Sequence, residues 1–248
     1  CISGADTVTQ LDKCANILSV GGAHEEAATA LEKAASLSQS PEGLLVRQSS
    51  ELLASGRIQD AREVAFQAVA LKTDSAENHV AMARTLEAHD AVMVPDYESA
   101  LVHWDRSVEL SPNRTDYNIG LGKCALNGGK PGRTREVCSR LLEIHQIDDN
   151  AASSKRAVAG EVHALLAQSM LALGEHEAAG DHFHKATQLA PQCSEPWRAI
   201  ADFHKNRGEL EQARSALDTG LQNVGSDDKG SKSVLLTDIA RLQFQTEE

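Results

Sequence analysis

Residues 166–191 have the sequence LAQSMLALGEHEAAGDHFHKATQLAP, and this stretch decides the fold. It places a small residue at Ala167, a glycine seven residues later at Gly174 and an alanine five residues further on at Ala179. The same trio recurs as Ala15-Gly22-Ala27, Ser49-Gly56-Ala61, Gly122-Gly129-Thr134 and Ala201-Gly208-Ala213. The recurrence follows a period of 34 residues with two insertions. A period of this length indicates an architecture of stacked repeats.

With this frame fixed, the chain divides into segments that each have the pattern of helix, short turn, helix. The six segments are 8–41, 42–75, 76–114, 115–148, 160–193 and 194–227. The third contains about five extra residues, Ala91–Pro95. Residues 149–159 are predicted to be a joint, or alternatively an N-terminal extension of the next helix capped by Ser153 or Ser154. Residues 1–7 are a predicted tail.

The last segment, residues 228–248, has the apolar spacing of a single amphipathic helix without a partner helix. Its apolar residues are Val234, Leu235, Ile239, Leu242 and Phe244. Repeat arrays commonly need a terminal element that covers their last apolar face. The sequence therefore predicts a capping helix here.

These residues carry a resemblance to the tetratricopeptide repeat family. The fifth segment carries the family pattern most fully, with Leu166, Ala167, Met170, Gly174, Ala179, Phe183, Ala186 and Pro191, and departs from it at His163. The resemblance covers about nine-tenths of the chain. It implies an all-α fold, a right-handed α-solenoid of stacked antiparallel helix pairs with six repeats and a C-terminal capping helix. In such repeats the glycine ends the first helix with a positive φ, and the small residues lie where the two helices cross.

Composition limits the classes of partner. The formal net charge of −12 disfavours nucleic acid and anionic membrane, because both would repel the chain at long range. No apolar run is long enough to span a bilayer, and no targeting peptide is visible. The five cysteines show no regular framework, which favours a reducing compartment, the cytoplasm or an organelle. Because the chain starts at Cys1, we expect further sequence upstream.

The resemblance also implies where a partner binds, because in this family the first helix of each repeat lines a concave groove. The predicted groove residues are Val46, Ser50, Leu53, Val80, Arg84, Glu87, Ile119, Lys123, Leu126, Gln168, Leu171, Arg198 and Asp202. Six of them form a predicted apolar strip: Val46, Leu53, Val80, Ile119, Leu126 and Leu171. Acidic residues outnumber basic ones around the strip, so a basic or amphipathic segment is the expected partner.

Two further features bear on the partner. The insertion carries Val92, Met93 and Val94, which either fold back onto their own helix pair or contact a partner.

Chaperone-binding members of the family hold a terminal carboxylate with a set of Lys, Asn and Arg residues. Here Asp12 stands where the first of those lysines would be, and no other window restores the set, so a tail of Hsp70 or Hsp90 is not expected as the partner.

The sequence predicts no catalytic residue, cofactor or metal ligand. His182 and His184 are two residues apart on a helix and point to different faces, which makes them a poor pair of ligands. Cys138 and His145 lack the third, orienting group that a catalytic Cys–His pair needs.

The leading interpretation is thus a non-catalytic scaffold or adaptor, a subunit of a larger assembly that holds a partner segment in the groove. One alternative starts from Cys1. Outer-membrane lipoproteins that assist assembly of the pilus secretin resemble this chain, with a lipidated cysteine followed by six such repeats, and this alternative places the protein in the bacterial periplasm, anchored to the outer membrane. A second alternative is a repeat domain of a larger enzyme. The partner, the complex and the oligomeric state are not specified by the sequence.

Overall fold

The computed structural model describes residues 7–145, 152–225 and 228–246. Residues 1–6 of the predicted tail and residues 149–151 of the predicted joint lie outside the described residues. Within the described part, every regular element is a helix, as predicted: α1 Val8–Val20, α2 His24–Leu37, α3 Glu42–Ala54, α4 Ile58–Leu71, α5 Ala76–Glu87, α6 Tyr97–Leu110, α7 Thr115–Asn127, α8 Pro131–His145, α9 Ser153–Ala172, α10 His176–Leu189, α11 Ser194–Asn206, α12 Leu210–Asn223 and α13 Lys229–Thr246.

The helices form two compact units, residues 1–124 and 125–248, with the boundary inside α7. In the first unit α1 packs on α2, α2 on α3, α3 on α4, α4 on α5 and α5 on α6. In the second unit the same succession runs from α8 to α13. The first helices of successive repeats also touch, α3 with α5 and α9 with α11. Each unit is therefore a stack of helix pairs, which confirms the predicted fold class.

The repeated glycines end the first helices as predicted. Gly22, Gly56, Gly129, Gly174 and Gly208 all have positive φ, between 71° and 81°. After Gly174 the N–H of Glu175 donates to the carbonyl of Met170 at 2.9 Å, a bond that satisfies a carbonyl left over at the helix end. The third repeat lacks this glycine, and there α5 is followed by the longer segment 88–96.

The small residues of the pattern lie at closely packed crossings. Ala27, Ala61, Ala179, Ala213 and Thr134 are completely buried. Because an alanine leaves room for the neighbouring backbone, two helices approach closely at these points. The alternation of small and large apolar residues thus builds the core of each repeat.

Two details differ from, or extend, the sequence interpretation. The predicted joint is partly helical, since α9 already begins at Ser153 and its N-cap is Ala152, not Ser153 or Ser154. Cys124, Cys138 and Cys193 carry reduced thiols.

At the C-terminus α13 packs against α11 and α12. Its residues Leu235, Ile239 and Leu242 join Leu217 and Val224 in one buried cluster. The helix thus covers apolar surface of the last repeat.

Candidate interaction surface

The first helices α1, α3 and α5 of the N-terminal unit carry the candidate surface, called the first-helix face below. Ser50 and Arg84 are exposed on it, and Val46, Leu53 and Glu87 are half-buried. The guanidinium of Arg84 has no partner among the described residues. These side chains can therefore contact a second molecule without first leaving the core.

Two residues of the predicted apolar strip are not part of this surface. Val80 is 6% exposed and Ile119 is 8% exposed. Val80 lies on α5, which packs against α3, α4 and α6. The helical period predicts the direction of a side chain but not how far the neighbouring side chains extend around it. Here the neighbouring side chains cover both residues. The contact of Val80 and Ile119 with a partner stays a prediction, and both side chains are covered in the unbound chain.

A cavity of about 510 Å³ opens where α5 ends, within the N-terminal unit. Its apolar part is formed by Leu53, Ile58 and Ala88, and Gly56 also lines it. Charged and polar side chains complete the lining: Arg84, Glu87, His89 and Asp90. Three of the predicted groove residues, Leu53, Arg84 and Glu87, thus meet at one cavity.

Glu87 is held in place from the second helix of the same repeat. The indole Nε1 of Trp104 donates a hydrogen bond to its carboxylate. Trp104 is buried in α6, so the carboxylate is fixed from the core side of the cavity. The cavity is therefore partly preorganised, which lowers the entropy cost of binding.

The acidic residues near the N-termini of the first helices are paired within the chain. Arg47 reaches from α3 to Asp12 of α1, and its Nη2 donates to Asn16 at 2.6 Å. Arg114 donates to both carboxylate oxygens of Asp116, at 2.9 and 2.8 Å. Their negative charge is therefore largely compensated within the chain.

Glu77 belongs to the same group of charges. Its pKa is lowered chiefly by the backbone N–H at the start of α5, with help from the Tyr117 hydroxyl, which donates at 3.3 Å, and from Ser75. The Arg114 side chain holds the pKa of Asp116 below its ordinary value through its hydrogen bonds. Both carboxylates stay ionised well into the acidic range.

The Asp90 side chain holds part of the segment 88–96. Oδ1 of Asp90 accepts hydrogen bonds from the N–H groups of Val92 and Met93, each at 2.7 Å. Val92 and Val94 are 88% and 80% exposed, and Met93 is half-buried. The sequence left open whether this apolar insertion folds back onto its own helix pair or contacts a partner. Val92 and Val94 do not fold back onto the helix pair.

The predicted groove residues of the C-terminal unit have varied surroundings. Leu126, Gln168 and Leu171 are half-buried. The Nε of Arg198 donates to Asp238 of α13 at 2.6 Å, and Asp202 accepts from Lys205 at 2.8 Å. The Arg198 side chain is thus bound to the capping helix α13. Lys123 in the N-terminal unit is exposed.

Potential metal ligands do not gather on this surface. No group of three or more His, Cys, Asp and Glu side chains that could hold a metal ion occurs in the described part of the chain. No described helix is long and apolar enough to cross a membrane.

Stacked antiparallel helix pairs with glycine-ended first helices define a class, the helical repeat proteins, whose extended surfaces bind other proteins. The tetratricopeptide repeat family model matches residues 170–232. The prediction of a tetratricopeptide repeat protein is confirmed by this match together with the fold. Comparison with curated proteins gives no significant sequence match.

Several solved structures share the fold at low sequence identity. PilW, a widely conserved type IV pilus biogenesis factor, is 16% identical with a TM-score of 0.66 over 94% of this chain and 100% of its own. The APC/C hetero-tetramer Cut9–Hcn1 has a TM-score of 0.63 at 14% identity, over 95% of this chain and 43% of its own. A thermophilic TPR protein of Thermus thermophilus has a TM-score of 0.55 at 18% identity, over 82% of this chain and 99% of its own.

Proposed function

We propose that this chain is a non-catalytic protein-interaction scaffold that holds a segment of a partner on the first-helix face of its N-terminal unit. The observation that carries the proposal is the cavity at the end of α5, where the apolar side chains of Leu53 and Ile58 lie beside the unpartnered guanidinium of Arg84. An open apolar recess bordered by charged side chains can receive an anchoring side chain of a partner.

The charges of the surface indicate the character of the segment. Because Asp12 and Asp116 are paired internally, a strongly basic segment has little to gain here. Arg84 offers a charge-assisted bond to a carboxylate. The partner is therefore an amphipathic segment with an apolar anchor for the recess and an acidic residue near that anchor.

Site-specific photo-crosslinking tests the proposal. A photoreactive phenylalanine analogue replaces Ser50, which is exposed on the first-helix face, and the protein is crosslinked in its native source. The matched control carries the same analogue at Phe66 of α4, a residue that is 63% exposed on the second helix of its repeat. We expect a discrete crosslinked protein from position 50 and none from position 66.

Crosslinks that form only at position 66, or equally at both positions, would show that the first-helix face is not the binding surface. The crosslinked peptide, once mapped, supplies a defined probe for the second step. We expect Arg84→Glu to weaken its binding by roughly tenfold or more, which corresponds to about 1.4 kcal/mol. Val80 and Ile119 are avoided in this test, because a charge at either buried position would unfold the unit.

A second candidate is a role in type IV pilus biogenesis as an envelope lipoprotein. It is supported by the fold similarity to PilW, which extends over 94% of this chain at 16% identity. Mass spectrometry of the N-terminal peptide of the native protein tests it. Lipid on the thiol of Cys1 supports this candidate, and an unmodified Cys1 or a chain that continues upstream of it contradicts it.

A further inference from the structure

Two histidines join the helices of the third repeat. His79 of α5 is 8% exposed, and its Nδ1 lies 2.9 Å from Nδ1 of His103 of α6. The other ring nitrogen of His79, Nε2, lies 3.0 Å from the carbonyl oxygen of Thr73. The two rings thus form a continuous chain of hydrogen bonds from α6 through α5 to the turn that precedes it.

The carbonyl of Thr73 fixes the tautomers of this pair. A carbonyl oxygen only accepts, so Nε2 of His79 carries the hydrogen and donates it. In a neutral ring the remaining nitrogen, Nδ1, is then an acceptor, and Nδ1 of His103 is the donor. A proton added to Nδ1 of His79 would remove this acceptor, and two N–H groups would face each other as long as His103 keeps its hydrogen on Nδ1.

A second pair repeats the arrangement in the C-terminal unit. Nδ1 of His163 in α9 lies 2.8 Å from Nδ1 of His182 in α10. The ring planes are inclined by 32° here and by 34° in the first pair, with centroids 5.0 and 5.2 Å apart. Two independent repeats therefore use the same contact between their first and second helices.

The pairs also occupy equivalent places in the repeat. His79 and His163 are the fourth residues of their repeats, and His103 and His182 are the 23rd when the five-residue insertion is left out of the count. Repeat two has Leu45 and Val64 at these places. An apolar contact of the ordinary kind is thus replaced by a titratable one in repeats three and five.

The surroundings of His103, His163 and His182 oppose a positive charge. Burial lowers the pKa of His163 to about 4, with smaller contributions from His182 and Lys185. Burial and Lys185 lower the pKa of His182 against an opposing effect of Asp181. Burial, followed by the charge of His79, lowers the pKa of His103.

Few other charged groups act on the pairs. Lys185 and Asp181 both lie on α10, and among the described residues no group of α8 or α11 adds to them. Around the first pair no charged group of α3, α4 or α7 in the described part of the chain shifts the pKa of His103. Apart from Asp181, no carboxylate among the described residues is therefore placed to compensate an imidazolium at His163 or His103.

We propose that the two histidine pairs are a proton-sensitive tie built into repeats three and five: each pair holds the two helices of its repeat together while both rings are neutral, and acidification releases it. The sign follows from linkage. A histidine that binds its proton less readily in the folded chain than in the unfolded chain stabilises the fold fully above about pH 6.5, and this contribution is lost as the pH falls. For His163 the loss continues down to about pH 4.

The test compares the full chain with a variant in which both pairs are replaced by the residues of repeat two, His79→Leu with His103→Val and His163→Leu with His182→Val. Urea unfolding is measured from pH 7 to pH 4.5. For each excess proton taken up by the unfolded chain, the unfolding equilibrium constant of the wild type changes by about tenfold per pH unit. We expect the variant to lose most of this dependence, and a control with His176→Gln and His184→Gln, both exposed on α10, to keep it.

Equal pH dependence in the wild type and the variant would overturn the proposal. If the variant does not fold, ¹⁵N spectra of the histidine rings of the wild-type chain decide the question. The proposal requires neutral rings at pH 7, with Nε2–H at His79 and Nδ1–H at His103, and His163 that titrates near the value of about 4. His163 titrating near the ordinary value of about 6.5 would overturn it. Hydrogen exchange at pH 5 should locate the loosening in α5, α6, α9 and α10, ahead of α1–α4.

Discussion

The indole ring of Trp104 lies directly against Gly120. A Cβ built on Gly120 would come closer to three atoms of this ring than any real contact allows. Trp197 lies against Gly220 in the same way, since a Cβ built on Gly220 would lie only 2.7 Å from the Cβ of Trp197. At both places a glycine makes room for an aromatic side chain between two helices.

Gly120→Ala tests this relationship. Alanine would gain roughly 1 kcal/mol over glycine in a helix interior, but overpacking costs typically about 1–3 kcal/mol. With three ring atoms closer than 3.0 Å to the new Cβ, we expect a net loss of up to about 2 kcal/mol in the free energy of unfolding, measured by urea denaturation. The control is Gly180→Ala, where nothing lies within 4 Å, and its free energy of unfolding should rise. A shift of both variants in the same direction would contradict the explanation.

Gly174 depends on its backbone conformation and not on space. Its φ is +81°, and no atom lies within 4 Å of a Cβ built on it. We expect Gly174→Ala to lower the free energy of unfolding by roughly 1–2 kcal/mol, because an L residue in the left-handed region is strained. Gly174→Asn should cost less, since asparagine tolerates this conformation better. Thermal unfolding of the two variants gives the comparison, and an equal loss in both would point to another cause.

The pair Arg198–Asp238 joins α11 to the capping helix α13. Its side chains are 39% and 20% exposed, so the pair is only partly shielded from water. We expect Arg198→Ala and Asp238→Asn each to weaken the docking of α13 by about 0.5–1 kcal/mol. The measurement is hydrogen exchange of α13 in the two single variants and the double variant. If the effects simply add, the two residues do not stabilise the helix through one another.

The cysteines should differ in reactivity. Burial raises the pKa of the Cys138 thiol to about 12, so that almost none of it is thiolate at about pH 8. Cys193 is half-buried, and although burial raises its pKa too, the side chain is more accessible. We expect iodoacetamide to alkylate Cys193 before Cys138 in the native chain, with all reduced thiols reacting once the chain is unfolded. Mass spectrometry of the labelled peptides would contradict this if Cys138 reacted as fast.

Much of the fold follows from a few positions in the sequence. The glycines at 22, 56, 129, 174 and 208 and the small residues five positions after them can be recognised without a structure, because only particular residues fit a positive φ or a close crossing. The segment 88–96 was recognisable as an insertion, but its course was not. The course of this segment depends on hydrogen bonds from its backbone to Asp90, and the repeat pattern does not predict these bonds.

The candidate site was less predictable, for a physical reason. Helical spacing tells which way Val80 points. Its burial, however, is set by how closely α3, α4 and α6 pack around α5, and this cannot be predicted from the spacing. The pairing of Arg47 with Asp12 joins residues 35 apart in sequence. The histidine pairs could have been found by aligning the repeats, because His79 and His163 stand at one place of the pattern and His103 and His182 at another.

The internal pairing of Asp12 and Asp116 has a consequence for how a partner would arrive. A carboxylate beside its own arginine contributes little to the field at a distance, so these two acids add little to the attraction of a basic partner. Their contribution to the rate of encounter, and to its dependence on ionic strength, would be small. Selectivity would then reside in how long a bound segment stays.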